Sequence, residues 1–306
     1  MRSLQPAARV AVVLSPALGD SLLMMIVVRN LHESGVAVTA FGRNAVTLNG
    51  WFPDLDIQPE LTRDTAQAIL PRYERVIAMR RDGPIADPGL QLPEVVLLEV
   101  ACRARSSKSM AERLMQFSRD ELGLAQAGKS NGMSAPGALE HRRHRNRIAI
   151  HPTASTRDKC WLPSRFVRLA LRLRKLGFDP QFVVAPSERD AWTFVQAHGI
   201  GLPQLGSLEN VAAWLYESGW FIGNDSGIGH LASCLQVPTL SLFMRRGLAR
   251  TWQPGWGAGR VVVGGYLPTA RLRERYWKYT LSVTRVARAF DQLREQIQAQ
   301  AREALA

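Results

Sequence analysis

The stretch "FIGNDSGIGHLAS", Phe221–Ser233, runs from an apolar, strand-like segment through Asn224, Asp225, Ser226 and two glycines to His230, then returns to apolar residues. A buried strand that hands over to a helix through small polar residues marks the carboxyl edge of a parallel sheet, where α/β proteins bind ligands. Three chemistries compete for this turn. A serine nucleophile elbow requires G-x-S-x-G, whereas Gly223, Ser226 and Gly227 read G-x-x-S-G, with the serine one position late. A dinucleotide fingerprint is matched by Gly227, Gly229 and Ala232 as G-x-G-x-x-A, but no Asp or Glu occurs between Asp225 and Glu274 to hold a ribose. The third reading is a diphosphate cradle. Ser226, Gly227, Ile228, Gly229 and His230 would offer backbone N–H groups of a helix N-terminus to anionic oxygens, with side-chain donors from Ser226, His230 or both. Asp225 would repel a phosphate unless it faced the loop backbone, a ligand hydroxyl or Lys159.

Working outward, β-rich runs alternate with helical patterns on both sides of a polar middle. "RVAVVLS", "AVTAFGR", "RVIAMR" and "EVVLLEV" read as strands of a first half, with a helix from about Asp20 to His32 and another over Met110–Leu124. "RIAIHP", "PQFVVAP", "GWFIGND", "TLSLF" and "RVVVGG" read as strands of a second half. Its helices are expected over Ser164–Leu176, from Ser187, over Ser207–Glu217, and through the long terminal run that starts at Val283. The segment "AQAGKSNGMSAPGALEHRRHRNR" between the halves reads as a linker, and its basic run "HRRHRNR", His141–Arg147, as a solvated part of it in preference to a contact with anionic membrane. The expectation is an α/β protein of two Rossmann-like domains facing a central cleft, residues 1–140 and 141–306.

Composition narrows the partners. The 306 residues are 46% hydrophobic and 21% charged, a globular balance, and carry a net charge of +13 that favours anionic ligands. No helix-turn-helix spacing, zinc motif or aromatic RNA-binding signature accompanies the charge, so nucleic acid is not expected as a partner. Cys102, Cys160 and Cys234 are few and scattered, which suggests a reducing compartment without a disulfide framework. The N-terminal run lacks a cleavage pattern and reads as mature protein. Asp20 and Arg29 interrupt the best apolar candidate, "SLLMMIVV", well short of a membrane span, so a cytoplasmic protein is expected.

Four sites follow strands. "SPALGDS" places Gly19 and Asp20 at a turn, with Asp20 equally readable as a helix cap and as a functional carboxylate. "HPTASTRDKCW", His151–Trp161, carries Thr153, other hydroxyls, Arg157 and Lys159, a set suited to phosphate oxygens but also to a solvated loop. "APSERD" offers Ser187 as a cap and Glu188 in a first turn. The fourth is the opening stretch.

Together, "LGDSLLMMIVVRNL", "IAIHPTASTRDKCWLPSRFVRLALRLRKLGF" and "FIGNDSGIGHLASCLQVPTLSLF", in this order and spacing, resemble glycosyltransferase family nine, the ADP-heptose heptosyltransferases of lipopolysaccharide assembly. The resemblance implies a GT-B type fold, with acceptor bound by the first half and nucleotide sugar by the second. It implies an inverting transfer without metal or other cofactor, from ADP-heptose to a lipopolysaccharide core or related acceptor, at the cytoplasmic face of the inner membrane with peripheral contact. Residue by residue, it implies Asp20 as the catalytic base and Lys159 as the catalytic cation on the leaving group. Thr153, Lys159, Glu188, Asp225, Ser226, Gly227, Ile228, Gly229 and His230 would bind the nucleotide sugar. Residues 55–145 match weakly, Val27 and Val28 stand where the family commonly has a proline, and "LFMRRG" with Arg245 and Arg246 replaces the expected turn, which opens the sugar or acceptor to variation. The alternatives are a relative using another nucleotide sugar or a protein acceptor, a dinucleotide-dependent oxidoreductase weakened by the absent ribose acid, and a non-catalytic nucleotide-binding protein.

Overall fold

The computed structural model describes residues 8–103 and 106–303. The first residues of the N-terminal run read as mature protein, and the last residues of the terminal helix, lie outside that range. The chain forms two compact units, Met1–Pro136 and Gly137–Ala306.

In the first unit, β1 (Arg9–Val13), β2 (Ala37–Phe41), β3 (Asp56–Gln58), β4 (Arg75–Ala78) and β5 (Glu94–Leu97) form one parallel sheet in the order β3-β2-β1-β4-β5. β1 is central because Val10, Ala11 and Val12 are apolar on both faces and fully buried. The helix Leu18–Glu33 starts two residues earlier than expected, and Ala17, not Asp20 or Ser21, holds its N-cap position. Every residue from Ser21 to Val28 is buried, so this helix is enclosed on all sides, packing on β2 and on the helix Met110–Asp120. The expected linker is partly a strap on this unit. Asn30 Oδ1 accepts from the Gly128 amide at 2.8 Å while its Nδ2 donates to the Gly128 carbonyl at 3.1 Å, and the Ser134 amide donates to the Trp51 carbonyl at 2.8 Å. Chain order reverses between β1 and β4; Asp20 lies in the first turn of the helix that follows β1, and Arg80 in the loop that follows β4.

In the second unit, β6 (His144–His151), β7 (Asp179–Phe182), β8 (Ser218–Asn224), β9 (Thr239–Phe243) and β10 (Gly259–Val263) are again all parallel, in the order β10-β9-β8-β6-β7. Trp161, Phe166, Phe182 and Trp277 are buried in one core with Phe290 of the terminal helix Val283–Glu303. The basic run is solvated, with five of its seven residues exposed, but it is not only a linker, because His144–Arg147 open β6. Arg142 Nε donates to the Gly219 carbonyl at 3.1 Å with its guanidinium over the Trp220 ring, and Arg147 Nε donates to Ser218 Oγ at 2.9 Å while its guanidinium stacks over Trp214. The aliphatic stems and flat guanidinium faces of arginine bury well on aromatic rings, so a charge run can be structural. Gly219 makes this possible, since a Cβ there would collide with the Arg145 carbonyl oxygen of the neighbouring strand. Chain order reverses between β6 and β8, and the loops that follow them are "HPTASTRDKCW" and the turn at Asp225.

Candidate functional site

The turn at the end of β8 is built by Asn224. Fully buried, it accepts from the Trp161 amide at Oδ1 (3.0 Å) and donates from Nδ2 to the Pro152 carbonyl (2.7 Å), so one side chain fixes both ends of the loop after β6 against the loop after β8. Trp161 Nε1 donates to the Leu281 carbonyl at 2.9 Å, and Trp277 Nε1 to the Asp158 carbonyl at 2.8 Å, clamping the short helical turn Arg157–Lys159 from below. Asn224, Trp161 and Trp277 are positioning residues that sequence reasoning missed; the only signal was that Asn224 and Trp161 stood inside the quoted motifs.

Lys159 projects from that turn, and its Nζ lies 3.1 Å from Asp225 Oδ2. Burial pushes the Asp225 carboxyl up from its ordinary range, and the ammonium of Lys159 opposes the shift. Of the three partners Asp225 needed, the structure supplies Lys159.

The helix Gly227–Cys234 begins at Ser226. Its cradle is narrower than expected: the amides of Gly229 and His230 both donate to the Ser226 carbonyl, at 3.1 and 3.4 Å, because the first turn closes on itself. The amides of Ser226, Gly227 and Ile228 are left without an intramolecular partner among the described residues. Ser226 Oγ and His230 Nδ1 are likewise buried and unpartnered. A side chain at Gly229 would meet only ordinary contacts, the nearest Phe221 Cε1 at 3.5 Å, so packing alone does not require a glycine there.

His230 is 5% exposed, and burial, with Lys159 nearby, lowers its pKa to about 4 against a backbone hydrogen bond at Trp252 that raises it. A lowered pKa favours the neutral imidazole at neutral pH, and that form still carries one ring N–H that can donate. In the unfolded chain a histidine titrates near 6.5. As pH falls from 6.5 through about 4, the unfolded state therefore takes up a proton that the folded state refuses, and stability is lost. This coupling amounts to about 3 kcal/mol by pH 4. Urea melts of His230→Gln across that window are expected to show a correspondingly shallower acid dependence, and ring NMR to place the His230 titration near its low value.

Glu188 and Thr153 come together. Glu188 Oε2 accepts from Thr153 Oγ1 at 3.0 Å and from the Ala185 amide at 3.2 Å, closing the start of a helix at Pro186–His198 whose N-cap position is Ala185, not Ser187. Both residues line a cavity of about 600 Å³ with Ser155, Thr156, Trp192 and Lys278. A second, mostly apolar slot of about 200 Å³ adjoins at Pro186 and is lined by Val184, Leu205, Gly206, Val211 and Ile228, so one wall of it is the cradle itself. Arg245 occupies the N-cap position of the helix Arg246–Trp252, and its Nη1 pairs with Glu274 Oε1 at 2.8 Å.

In the first unit, Asp20 sits in the first turn of its helix and lines a cavity of about 190 Å³ with Ser15, Glu60, Met79, Arg80 and Asp82. Among the described residues no group of three or more His, Cys, Asp or Glu side chains could hold a metal ion, and no helix is long and apolar enough to cross a membrane.

Comparison with known proteins follows the same lines. Lipopolysaccharide heptosyltransferase 3 of Escherichia coli strain K12 is 30% identical over 103 residues, 31% of this chain and 30% of that protein. A second Escherichia coli lipopolysaccharide heptosyltransferase 3 is 28% identical over 138 residues, 40% of this chain and 41% of that protein. The matches thus span less than half the length of these curated relatives. Among solved structures, the family 9 glycosyl transferase of Veillonella parvula superposes with a TM-score of 0.74 at 14% identity, covering 95% of this chain and 99% of that one. Escherichia coli ADP-heptose lps heptosyltransferase II does so with a TM-score of 0.71 at 17% identity, covering 95% and 99%. Two parallel-sheet α/β domains of this kind are the GT-B fold. The model of glycosyltransferase family 9 (heptosyltransferase) matches residues 95–275, more than half of the chain, and the protein therefore belongs to that family of glycosyltransferases.

Proposed function

We propose that the protein transfers a heptose from ADP-heptose to a lipopolysaccharide inner-core or related acceptor, with inversion, at the cytoplasmic face of the inner membrane. The observation that carries this reading is the turn at Ser226–Ile228, where three unpartnered amides and an unpartnered hydroxyl lie beside a lysine–aspartate pair. Such a turn suits a diphosphate leaving group. The apolar slot adjoining Ile228 suits a nucleobase, and Glu188 with Thr153 suits ribose hydroxyls next to it. The solved Escherichia coli heptosyltransferase WaaC was captured with ADP, which favours adenine among the bases.

In the reaction, an acceptor hydroxyl oxygen attacks the anomeric carbon while Asp20 takes its proton. The bond from that carbon to the diphosphate oxygen breaks, its electron pair leaves with ADP, and Lys159 and the turn amides stabilise the charge that develops there. The first unit is the acceptor side in this reading, and the second unit holds the donor.

A thermal-shift titration with ADP, UDP, GDP and NAD tests the donor. Stabilisation by ADP above the others is expected, about 2.7 kcal/mol at a hundred times its dissociation constant. A larger response to UDP or GDP would move the assignment to another nucleotide sugar. Binding of ADP without its release from ADP-heptose in the presence of lipopolysaccharide-derived acceptors would mark a binding protein.

A further inference from the structure

Large exposed hydrophobic side chains are unevenly distributed. Seven are exposed among the described residues, and four of them, Tyr266, Leu272, Tyr276 and Tyr279, fall within a single short span. Three of these lie on the helix Ala270–Thr280 at spacings i, i+4 and i+7, so they form one stripe. That stripe is not the face with which the helix packs. The packed face is carried by Trp277, which is fully buried and bonded to the Asp158 carbonyl, while Arg165 holds the carbonyls of Lys278 and Tyr279 at the helix end. Glu274 anchors the helix through Arg245. The helix is thus pinned on one side and presents Leu272, Tyr276 and Tyr279 to solvent on another, with exposed Arg271 and Arg275 one position before the first two. The Arg275 guanidinium lies over the Tyr276 ring at 5.5 Å.

A rigid helix with a tyrosine–leucine stripe bordered by arginines is the chemistry of an interfacial segment. Phenol rings settle at the level of lipid headgroups, and guanidinium groups meet phosphate while their stems stay apolar. We propose that the Leu272–Tyr276–Tyr279 stripe, with Tyr266, Arg271 and Arg275, docks the protein on a bilayer surface rich in anionic phospholipid. Charge complementarity selects this occupant: the chain carries +13, and the stripe's own neighbours are arginines. The helix would lie flat on the surface, and its inner face would hold the Arg157–Lys159 turn about one helix diameter, roughly 10 Å, from the headgroups. The proposal rests on this helix and Tyr266 just before it, and holds whatever sugar the protein transfers.

Co-sedimentation with vesicles of phosphatidylcholine, with and without phosphatidylglycerol, tests it on the full chain, with no lipopolysaccharide present. Binding is expected only with phosphatidylglycerol and is expected to weaken with salt. Leu272→Ser/Tyr276→Ser/Tyr279→Ser and, separately, Arg271→Gln/Arg275→Gln should each weaken it about tenfold or more. Tyr266→Ser, outside the helix, should weaken it to a smaller degree and serves if the triple variant does not fold. Leu176→Ser, an exposed apolar residue elsewhere in the same unit, should leave binding unchanged. Retained binding in the stripe variants would overturn the proposal, as would equal loss in Leu176→Ser. So would a wild-type dimer that the triple variant converts to monomer while vesicle binding persists, which would make a second copy of the chain the occupant.

Discussion

Asp20→Asn is expected to lower kcat for sugar transfer by about 10²–10⁴-fold, the usual worth of a positioned general base. The substitution keeps the shape of the side chain in the first turn of the Leu18–Glu33 helix and removes its charge together with the proton acceptor. Loss of a favourable charge at a helix N-terminus costs about 0.3–2 kcal/mol, so the variant should remain folded at assay temperature. Stabilisation by ADP should persist, because the groups assigned to the nucleotide all belong to the second unit. Steady-state kinetics and a melting curve with ADP together check this. Unchanged turnover would remove Asp20 from the base role, and loss of activity in Glu60→Gln or Asp82→Asn instead would move the role to a neighbour in the same cavity.

Much of the fold was legible because the central strands are continuous β-branched or apolar runs. "RVAVV" and "TLSLF" became β1 and β9 with little change of boundary. β3 was not legible, since its three residues expose Asp56 and Gln58 and bury only Ile57, too short for a period to show. The helix Ala270–Thr280 escaped for a related reason: its buried face rests on Trp277 alone, and its visible apolar stripe points to solvent. Composition misled at His141–Arg147, where charge suggested a solvated linker and aromatic stacking against Trp214 and Trp220 made part of it structural.

The candidate site was legible as a set of residue types after strands, and the physics of parallel sheets says why. Both units place their polar loops where chain order reverses, between β1 and β4 and between β6 and β8, so short-range sequence patterns suffice to mark them. What pattern cannot show is long-range contact. Asn224 bonds Trp161 and Pro152 across more than sixty positions of sequence, and Trp277 reaches Asp158 across more than a hundred, so the residues that hold Lys159 in place came only from the structure. The number of amides open to a ligand was also hidden, because it depends on whether Gly229 and His230 bond back to the Ser226 carbonyl, and they do.

Lys159→Met should lower kcat/KM by about 10²–10³-fold, as expected when one preorganised donor to a leaving group is removed. It should also reduce the stabilisation conferred by ADP. The same change leaves the largely buried Asp225 carboxylate without its cation at 3.1 Å, a loss of about 1–2 kcal/mol given the partial exposure of the lysine. The direction of the pH effect follows from burial. The folded Asp225 pKa is already raised above its ordinary value, and loss of Lys159 raises it further, so the carboxylate's cost is present above that pKa and is relieved as pH falls through it. Urea melts should therefore show the stability deficit of Lys159→Met shrinking on acidification, whereas its activity deficit should not recover. Adding Asp225→Asn removes the buried charge altogether, and the double variant is expected to regain stability at neutral pH while remaining inactive. Wild-type turnover in Lys159→Met would exclude the cation from catalysis. A double variant that recovered both stability and activity would show that the pair only holds the turn together.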